Sequence, residues 1–230
     1  MFYDEEKTIK ACEENPALIF ELIREEHFEL VDKLLSKKKV NLNTTDSSGN
    51  DVVTRLLKAK SFDLVLKYMK NKEWNINHQN NEGNTFAHYL VSINYVYVVD
   101  IIKAIRRRKD FIPNLKNEKK ETILDKSINE NYIYTTLKIL EDKRFNNIDV
   151  VSFKKLFNAY IKSSYYGKYS KLNNLQIFIG SLSKKDVLLP NMKQLLDEIK
   201  DNMDQIKTEI MSNKSKSLEK IIKKKLVEVS

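Results

Sequence analysis

The feature that most constrains this chain is a segment that occurs twice, at residues 27–43 and again at 61–77. The two copies share a Phe, an acidic residue, a Leu-Val pair, a Lys and a closing Asn-x-Asn, all in the same register. Amphipathicity alone sets the spacing of apolar residues but does not require the same residues to recur. The chain therefore contains an internal repeat, and a repeat of this length indicates units that bury their apolar faces against their neighbours.

A glycine turn recurs in the same register. Gly49 and Gly83, two of only four glycines in the chain, are each followed by Asn and are separated by the same interval as the two copies. The stretch 80–90 reads Asn-Asn-Glu-Gly-Asn-Thr-Phe-Ala-His-Tyr-Leu, a polar turn that leads into a helix. Each unit is therefore predicted to contain a polar turn, a short helix, a tight connection and a longer second helix.

Two further copies of the second helix follow at 94–102 and 131–139, and the interval between these two is longer than the earlier one. We predict that the additional residues form an insertion around 106–113. Pro16 suits the N-terminus of a helix and opens the first unit. The four units are placed at about 12–45, 46–79, 80–116 and 117–150.

The stretch Gly83–Leu90 resembles the turn-into-helix start of an ankyrin repeat, whose signature is Thr-Pro-Leu-His-x-Ala. The resemblance covers residues 12–150, although bulkier residues such as Val52 and Phe86 replace the signature Pro. It implies an all-α fold, an ankyrin-like helical solenoid followed by a C-terminal helical extension. It also implies that His88, at the position of the signature histidine, hydrogen-bonds turn backbone and ties adjacent repeats together.

The resemblance further implies the function of a non-enzymatic protein-protein interaction module, an adaptor or scaffold. Such repeats bind partners along their turn tips and first helices, whose outer positions face water in any ankyrin stack. Carried over to this sequence, the partner-binding positions on the turn tips are Ser47, Ser48, Asn50, Asn81, Glu82, Asn84, Glu118, Lys119 and Glu121. Those on the first helices are Lys58, Ser92 and Asn129.

The positive charge of the chain belongs to its C-terminal third. Residues 1–150 hold 25 Lys and Arg against 24 Asp and Glu, whereas residues 151–230 hold 16 lysines against 8 acids. The repeat period is also lost after residue 150, so we predict a repeat domain at 1–150 and a basic helical region at 151–230. Its lysines suit an acidic protein, a phosphate backbone or an anionic membrane surface, and a solvated lysine coat is the alternative.

Two basic clusters are candidate sites for an anion or a nucleic acid. They are Arg106, Arg107, Arg108 and Lys109 in the repeats, and Lys223, Lys224 and Lys225 near the C-terminus. The other interpretation of the arginine cluster is a helix end that complements the helix dipole and leads into an exposed loop. The clusters support an alternative function, that of an RNA- or ribosome-associated basic factor in which the repeats serve as scaffold.

A heptad-like apolar seam runs through 192–210, in a helix that Pro190 opens. It is shorter than the three to four heptads that argue for a coiled coil. Packing within the chain is therefore favoured over self-association.

The sequence lacks the motifs that usually mark an enzyme or a metal site. No glycine-rich phosphate loop can be written, and His27, His78 and His88 share no metal-binding spacing. Cys12 is the single cysteine and is expected to be a small packing residue. We therefore expect no catalytic residues, no cofactor and no metal.

Cysteine usage and apolar patterning bear on location. One cysteine excludes an intrachain disulfide, which favours a reducing intracellular compartment, the cytoplasm with the nucleus as an alternative. The acidic start at 1–6 does not resemble a signal peptide, and no apolar stretch approaches the roughly 18 residues of a membrane span.

Overall fold

The computed structural model describes residues 4–93 and 98–130, together with Thr135 and Arg144. The chain divides into two compact units, Met1–Lys126 and Ser127–Ser230, and the contacts below belong to the first. Within the described residues the regular elements are helices, with one isolated β-bridge and no strand, so this part of the chain is all-α as predicted. The predicted boundary at residue 150, the C-terminal helices, the seam at 192–210 and the cluster at 223–225 lie outside the described residues.

In units one to three the helices follow the predicted order of a short helix, a tight connection and a second helix. The second helix is longer, as predicted, in units one and three, but the two helices of unit two each have seven residues. Their bounds are α1 Glu5–Glu14, α2 Ile19–Arg24, α3 Phe28–Ser36, α4 Val52–Lys58, α5 Phe62–Tyr68, α6 Phe86–Leu90, α7 Val98–Arg107 and α8 Ile123–Asn129, with a 3₁₀ turn at Pro16–Leu18 before α2. Within a unit, α2 contacts α3 and α4 contacts α5. Between units, α2 contacts α4, α4 contacts α6, and α5 contacts α7.

The core is built from positions that recur with the repeat. Leu22, Leu56 and Leu90 occupy the same position of three successive units, on α2, α4 and α6, and each is at most 2% exposed. The neighbouring positions, such as Ile23 and Leu57, are buried as well. Helices α2 and α4 therefore bury their apolar faces between their own second helix and the next unit, as expected for repeats that stack on their neighbours.

In the tight connections a residue other than glycine adopts the left-handed backbone conformation just after the short helix. Glu26 and Lys60 follow α2 and α4 at equivalent positions and have φ of 59° and 60°. After α4, the N–H of Lys60 donates to the Leu57 carbonyl and the N–H of Ser61 to the Leu56 carbonyl. These two bonds define a Schellman motif, which usually has glycine at this position.

Helix α1 is an element that the repeat pattern did not predict. The Asp4 side chain accepts from the N–H of Lys7 and caps its N-terminus, where acidic residues also favour the helix dipole. Ion pairs join its polar side to α3 and the residues after it, with Glu5 bound to Lys33 at 2.9 Å and Glu13 bound to Lys39. Cys12 is fully buried, which confirms its predicted packing role, and burial raises the pKa of its thiol.

Candidate interaction surface

Three turns of one geometry connect the units, and we name them tip 1 (46–50), tip 2 (80–84) and tip 3 (117–121). In each, the side-chain oxygen of the first residue accepts from the N–H of the fifth, at 2.8, 2.9 and 3.0 Å. The N–H of the first residue donates to the carbonyl of the fifth at 3.0 Å in all three. Asp and Asn suit the first position because their short side chains bond backbone a few residues on.

Hydrogen bonds join each tip to the next, and we call the whole set the tip ladder. The N–H of Asn81 donates to the Ser48 carbonyl at 3.1 Å, and the N–H of Glu118 donates to the Glu82 carbonyl at 3.0 Å. Backbone bonds therefore help to fix the spacing of the tips.

The glycines of the tips are required by two separate constraints. Gly49 and Gly83 have φ of 76° and 72°, a region that costs other residues energy. A Cβ on Gly83 would also lie 2.9 Å from the backbone nitrogen of Glu118. In tip 3 the equivalent residue is Lys120, with φ of 63°.

His88 ties unit three to tip 3, which confirms the role that the resemblance implied. Its Nδ1 accepts from the N–H of Thr85 at 3.2 Å and lies 2.9 Å from the Thr85 hydroxyl, while its Nε2 donates to the Glu121 carbonyl at 3.0 Å. Burial lowers the pKa of the imidazole, because the charged form loses its hydration. The neutral ring with its proton on Nε2 satisfies all these contacts.

Asn50 and Asn84 were predicted to face water, and that prediction was wrong. They are 1% and 9% exposed. The Oδ1 of Asn50 accepts from Asn80 Nδ2 at 2.9 Å, and the Oδ1 of Asn84 accepts from Asn117 Nδ2 at 3.0 Å. Both amides therefore join successive tips and are not available to a partner.

The other predicted positions lie at or near the surface. Ser92 and Glu121 are partly exposed, and the rest are exposed: Ser47, Ser48, Lys58, Asn81, Glu82, Glu118, Lys119 and Asn129. Several of them also form hydrogen bonds within the protein. Asn81 Nδ2 donates to the Ser47 carbonyl at 3.1 Å and Glu82 accepts from Asn84 Nδ2 at 2.8 Å. Glu121 accepts from Asn117 Nδ2 and Ser92 Oγ donates to the His88 carbonyl, both at 3.3 Å. Their role in binding a partner stays a prediction.

Arg108 was predicted within a basic cluster that is either an anion site or a helix end that leads into an exposed loop. Helix α7 ends at Arg107 with Arg106 and Arg107 in its last turn, which agrees with the helix end, but Arg108 itself is neither exposed nor open to an external anion. It is 9% exposed, and its Nη1 and Nη2 donate to the carbonyls of Met69, Asn71 and Trp74 at 2.8–2.9 Å. Asp110 pairs with it at 2.6 Å. The guanidinium thus satisfies carbonyls that follow the end of α5 and is occupied within the protein. Arg107 and Lys109 are exposed, and Arg106 is partly exposed.

The recurring Asn-x-Asn forms a second connection between units, a role that was not predicted. Asn43 donates through Nδ2 to the Glu73 carbonyl and accepts through Oδ1 from the N–H of Asn75, both at 2.8 Å. Asn77 makes the same pair of bonds with Asp110 and Ile112, at 2.7 and 2.8 Å. The equivalence of Glu73 and Asp110 shows that the additional residues of unit three lie before Asp110.

A second part of the surface, which we name the first-helix face, comprises Arg24, Arg55, Lys58, Tyr89 and Ser92. Arg24, Lys58 and Ser92 share one register of the repeat, and Arg55 and Tyr89 share another. The Lys58 ammonium lies 4.3 Å from the centroid of the Tyr89 ring, so α4 and α6 present these side chains together. Arg55 and Tyr89 were not predicted as site residues, although they occupy equivalent positions of successive units with different residue types.

No helix in the described ranges combines the length and the apolar character needed to cross a membrane. No protein-family model matches the chain, and no curated protein is significantly similar to it in sequence. Its function must therefore be argued from its own residues.

Proposed function

We propose that this chain is a non-enzymatic interaction module built from ankyrin-like repeats arranged as a helical solenoid. It binds a protein partner through the tips and the first-helix face. The observation that carries the proposal is the tip ladder, which repeats one hydrogen-bond pattern in three successive units and binds each tip to the next.

The division between fixed and variable tip positions supports a role in binding. The positions that build the ladder keep similar residues, as Asp46, Asn80 and Asn117 do. The outward position between them changes from Ser48 to Glu82 to Lys119, in charge as well as in size. A rigid row of turns with variable exposed side chains is a scaffold on which partner specificity can be set without disturbing the fold.

The proposal is tested by capturing partners from host lysate with the full chain. The tip variant carries Ser48→Arg and Glu118→Arg, at exposed side chains for which we find no hydrogen bond among the described residues. The control, Asp63→Arg, makes the same charge reversal as Glu118→Arg at an exposed position on α5. Each capture is made with and without nuclease.

We expect to capture a protein whose recovery does not change with nuclease treatment. It should bind the control variant as well as the wild type, and its affinity for the tip variant should be lower by about tenfold or more. Equal capture by the tip variant and the wild type would contradict the proposal.

The alternative is binding of RNA or a ribosome through the basic region, and the charge distribution favours it as the second candidate. Residues 151–230 carry 16 lysines against 8 acids. Binding of a phosphate backbone loses orders of magnitude in affinity between low and physiological salt. Capture that collapses on nuclease treatment and at physiological salt would support this function and leave the repeats as scaffold.

A further inference from the structure

We propose that Arg55, Lys58 and Tyr89 form a recognition centre that binds an Asp or Glu side chain of an acidic protein segment. The inference rests on the proposed function and adds the chemistry of the partner. Its first support is an arginine whose hydrogen-bond donors are incompletely satisfied.

The guanidinium of Arg55 is incompletely satisfied. Its Nε lies 3.4 Å from Asp46 Oδ2, an ion pair whose geometry is not that of a hydrogen bond. This Nε is the one buried side-chain nitrogen or oxygen among the described residues without a hydrogen-bond partner. Asp46 is also occupied in tip 1, where it accepts from the N–H groups of Ser48 and Asn50. The buried Nε is itself out of reach of a partner, but the Arg55 side chain is 29% exposed and we find no hydrogen bond to its Nη groups within the described residues. These groups can donate to an additional anionic acceptor.

A second cation lies one helical turn away. Lys58 follows Arg55 by three residues on α4, so the two side chains are neighbours on one side of the helix. The Lys58 ammonium lies over the Tyr89 ring, and we find no carboxylate within the described residues that pairs with it. Asn80 Nδ2 donates to the Tyr89 hydroxyl at 2.7 Å and holds the ring in place. The ring in turn positions the ammonium, so little side-chain freedom is lost on binding.

The charges around the centre favour a single carboxylate over a phosphate backbone. A polyanion gains its affinity by contacting many cations along its length. Here the flanking tips carry Asp46 and Glu82, which would repel a continuous row of phosphates. An acidic side chain that reaches Arg55 and Lys58 brings a single negative charge near Asp46, which already pairs with Arg55 at 3.4 Å, whereas a phosphate backbone would bring several. Tyr and Arg are also the residue types most enriched at the energetic centres of protein interfaces.

The test measures binding of a short fluorescein-labelled peptide that alternates Glu and Ser to the full chain, by fluorescence anisotropy at physiological salt. The variants are Arg55→Gln, Lys58→Gln and Tyr89→Ala. The control is Lys70→Gln, which removes one charge from an exposed lysine just after α5 in the same unit. Circular dichroism and thermal unfolding of each variant show whether it folds, and Lys58→Gln changes a side chain that is exposed.

We expect Lys58→Gln and Arg55→Gln each to weaken binding about tenfold, and Lys70→Gln to change it less than about twofold. Absence of binding by the wild type, or an equal effect of Lys70→Gln, would overturn the proposal. Binding of oligouridylate with the same dependence on Arg55 and Lys58 would also overturn it, in favour of a nucleic-acid site. If these variants bind normally while the tip variant loses its partner, the proposed function stands and only this centre is rejected.

Discussion

Arg108 of unit three donates hydrogen bonds to backbone carbonyls of unit two. Three carbonyls that follow the end of α5 point at its guanidinium, and the ring of Trp74 lies 5.7 Å from its central carbon. A carbonyl buried without a donor costs free energy comparable to a lost hydrogen bond. One long side chain therefore donates to all three carbonyls, and of these the Asn71 carbonyl also accepts from the N–H of Trp74 at 3.3 Å.

We predict that Arg108→Ala lowers the free energy of unfolding by about 3 kcal/mol, because the carbonyls lose a charged donor that water cannot replace. Chemical denaturation monitored by circular dichroism measures the change. The neighbouring Arg107→Ala, at an exposed position, should change stability by less than about 0.5 kcal/mol. Equal effects of the two substitutions would show that Arg108 does not have this role.

Lys60 holds a backbone conformation that suits glycine. Its φ of 60° strains any residue with a Cβ, and its side chain is exposed. We predict that Lys60→Gly raises the free energy of unfolding by about 0.5–1 kcal/mol, since relief of this strain outweighs the added freedom of the unfolded chain. Thermal and chemical unfolding test it. Lys58→Gly, two residues earlier inside α4, should have the opposite sign, and a loss of stability at both positions would contradict the argument.

At the scale of elements, the tips are the places where successive units come into closest backbone contact. The helices meet through apolar side chains that tolerate some adjustment, whereas the tips meet through backbone atoms. An added Cβ at Gly83 would have backbone atoms of tip 3 at 2.9–3.2 Å. We therefore expect one added methyl group to be less well tolerated at a tip than between the helices.

We predict that Gly83→Ala costs about 2–4 kcal/mol, from left-handed strain together with displacement of tip 3. Gly83→Asn separates the two causes, because Asn tolerates the left-handed region but still carries a Cβ. We expect Asn to recover only part of the loss, and hydrogen exchange at the Glu118 amide to accelerate in both variants. If Gly83→Asn were as stable as the wild type, the close approach between the tips would not contribute to the loss of stability.

The repeat, the helix order and the role of His88 could be predicted from the sequence, because each rests on residues that recur in register. Asn50 and Asn84 were assigned wrongly for an instructive reason. Both are polar and stand in turns, which normally indicates exposure, yet the same amide recurs at the same position because each supports the next tip. Arg108 could not be predicted, since its partners are backbone carbonyls of the preceding unit that no side-chain pattern reveals.

At the scale of the whole molecule, His88 makes stability depend on pH. Its pKa is lowered in the folded protein, whereas in the unfolded chain it is about 6.5. As pH falls below about 6.5, the unfolded state binds more protons, so the free energy of unfolding decreases by up to about 1.4 kcal/mol per pH unit until the folded pKa is reached. Protonation would also remove the acceptor on Nδ1 that Thr85 uses.

We predict that this acid-induced loss of stability is smaller in His88→Gln than in the wild type when unfolding is measured from pH 7 downward. Burial raises the pKa of Asp51, which acts with the opposite sign because the folded state then takes up its proton first. Both proteins contain Asp51, so its contribution cancels in their difference. Parallel pH profiles for the two proteins would show that His88 does not control the acid response.

Lys120 makes tip 3 different from the two tips before it. The first two tips offer a bare Cα to the tip that follows, whereas tip 3 carries a side chain at that point. A duplicate of residues 46–79 inserted after residue 79 would meet compatible turns on both sides and lengthen the protein by one unit. The same segment attached behind tip 3 would require Lys120→Gly before it could dock in this way. We therefore expect an extra unit inserted between tip 1 and tip 2 to be accommodated without further change, whereas one added behind tip 3 would need this substitution.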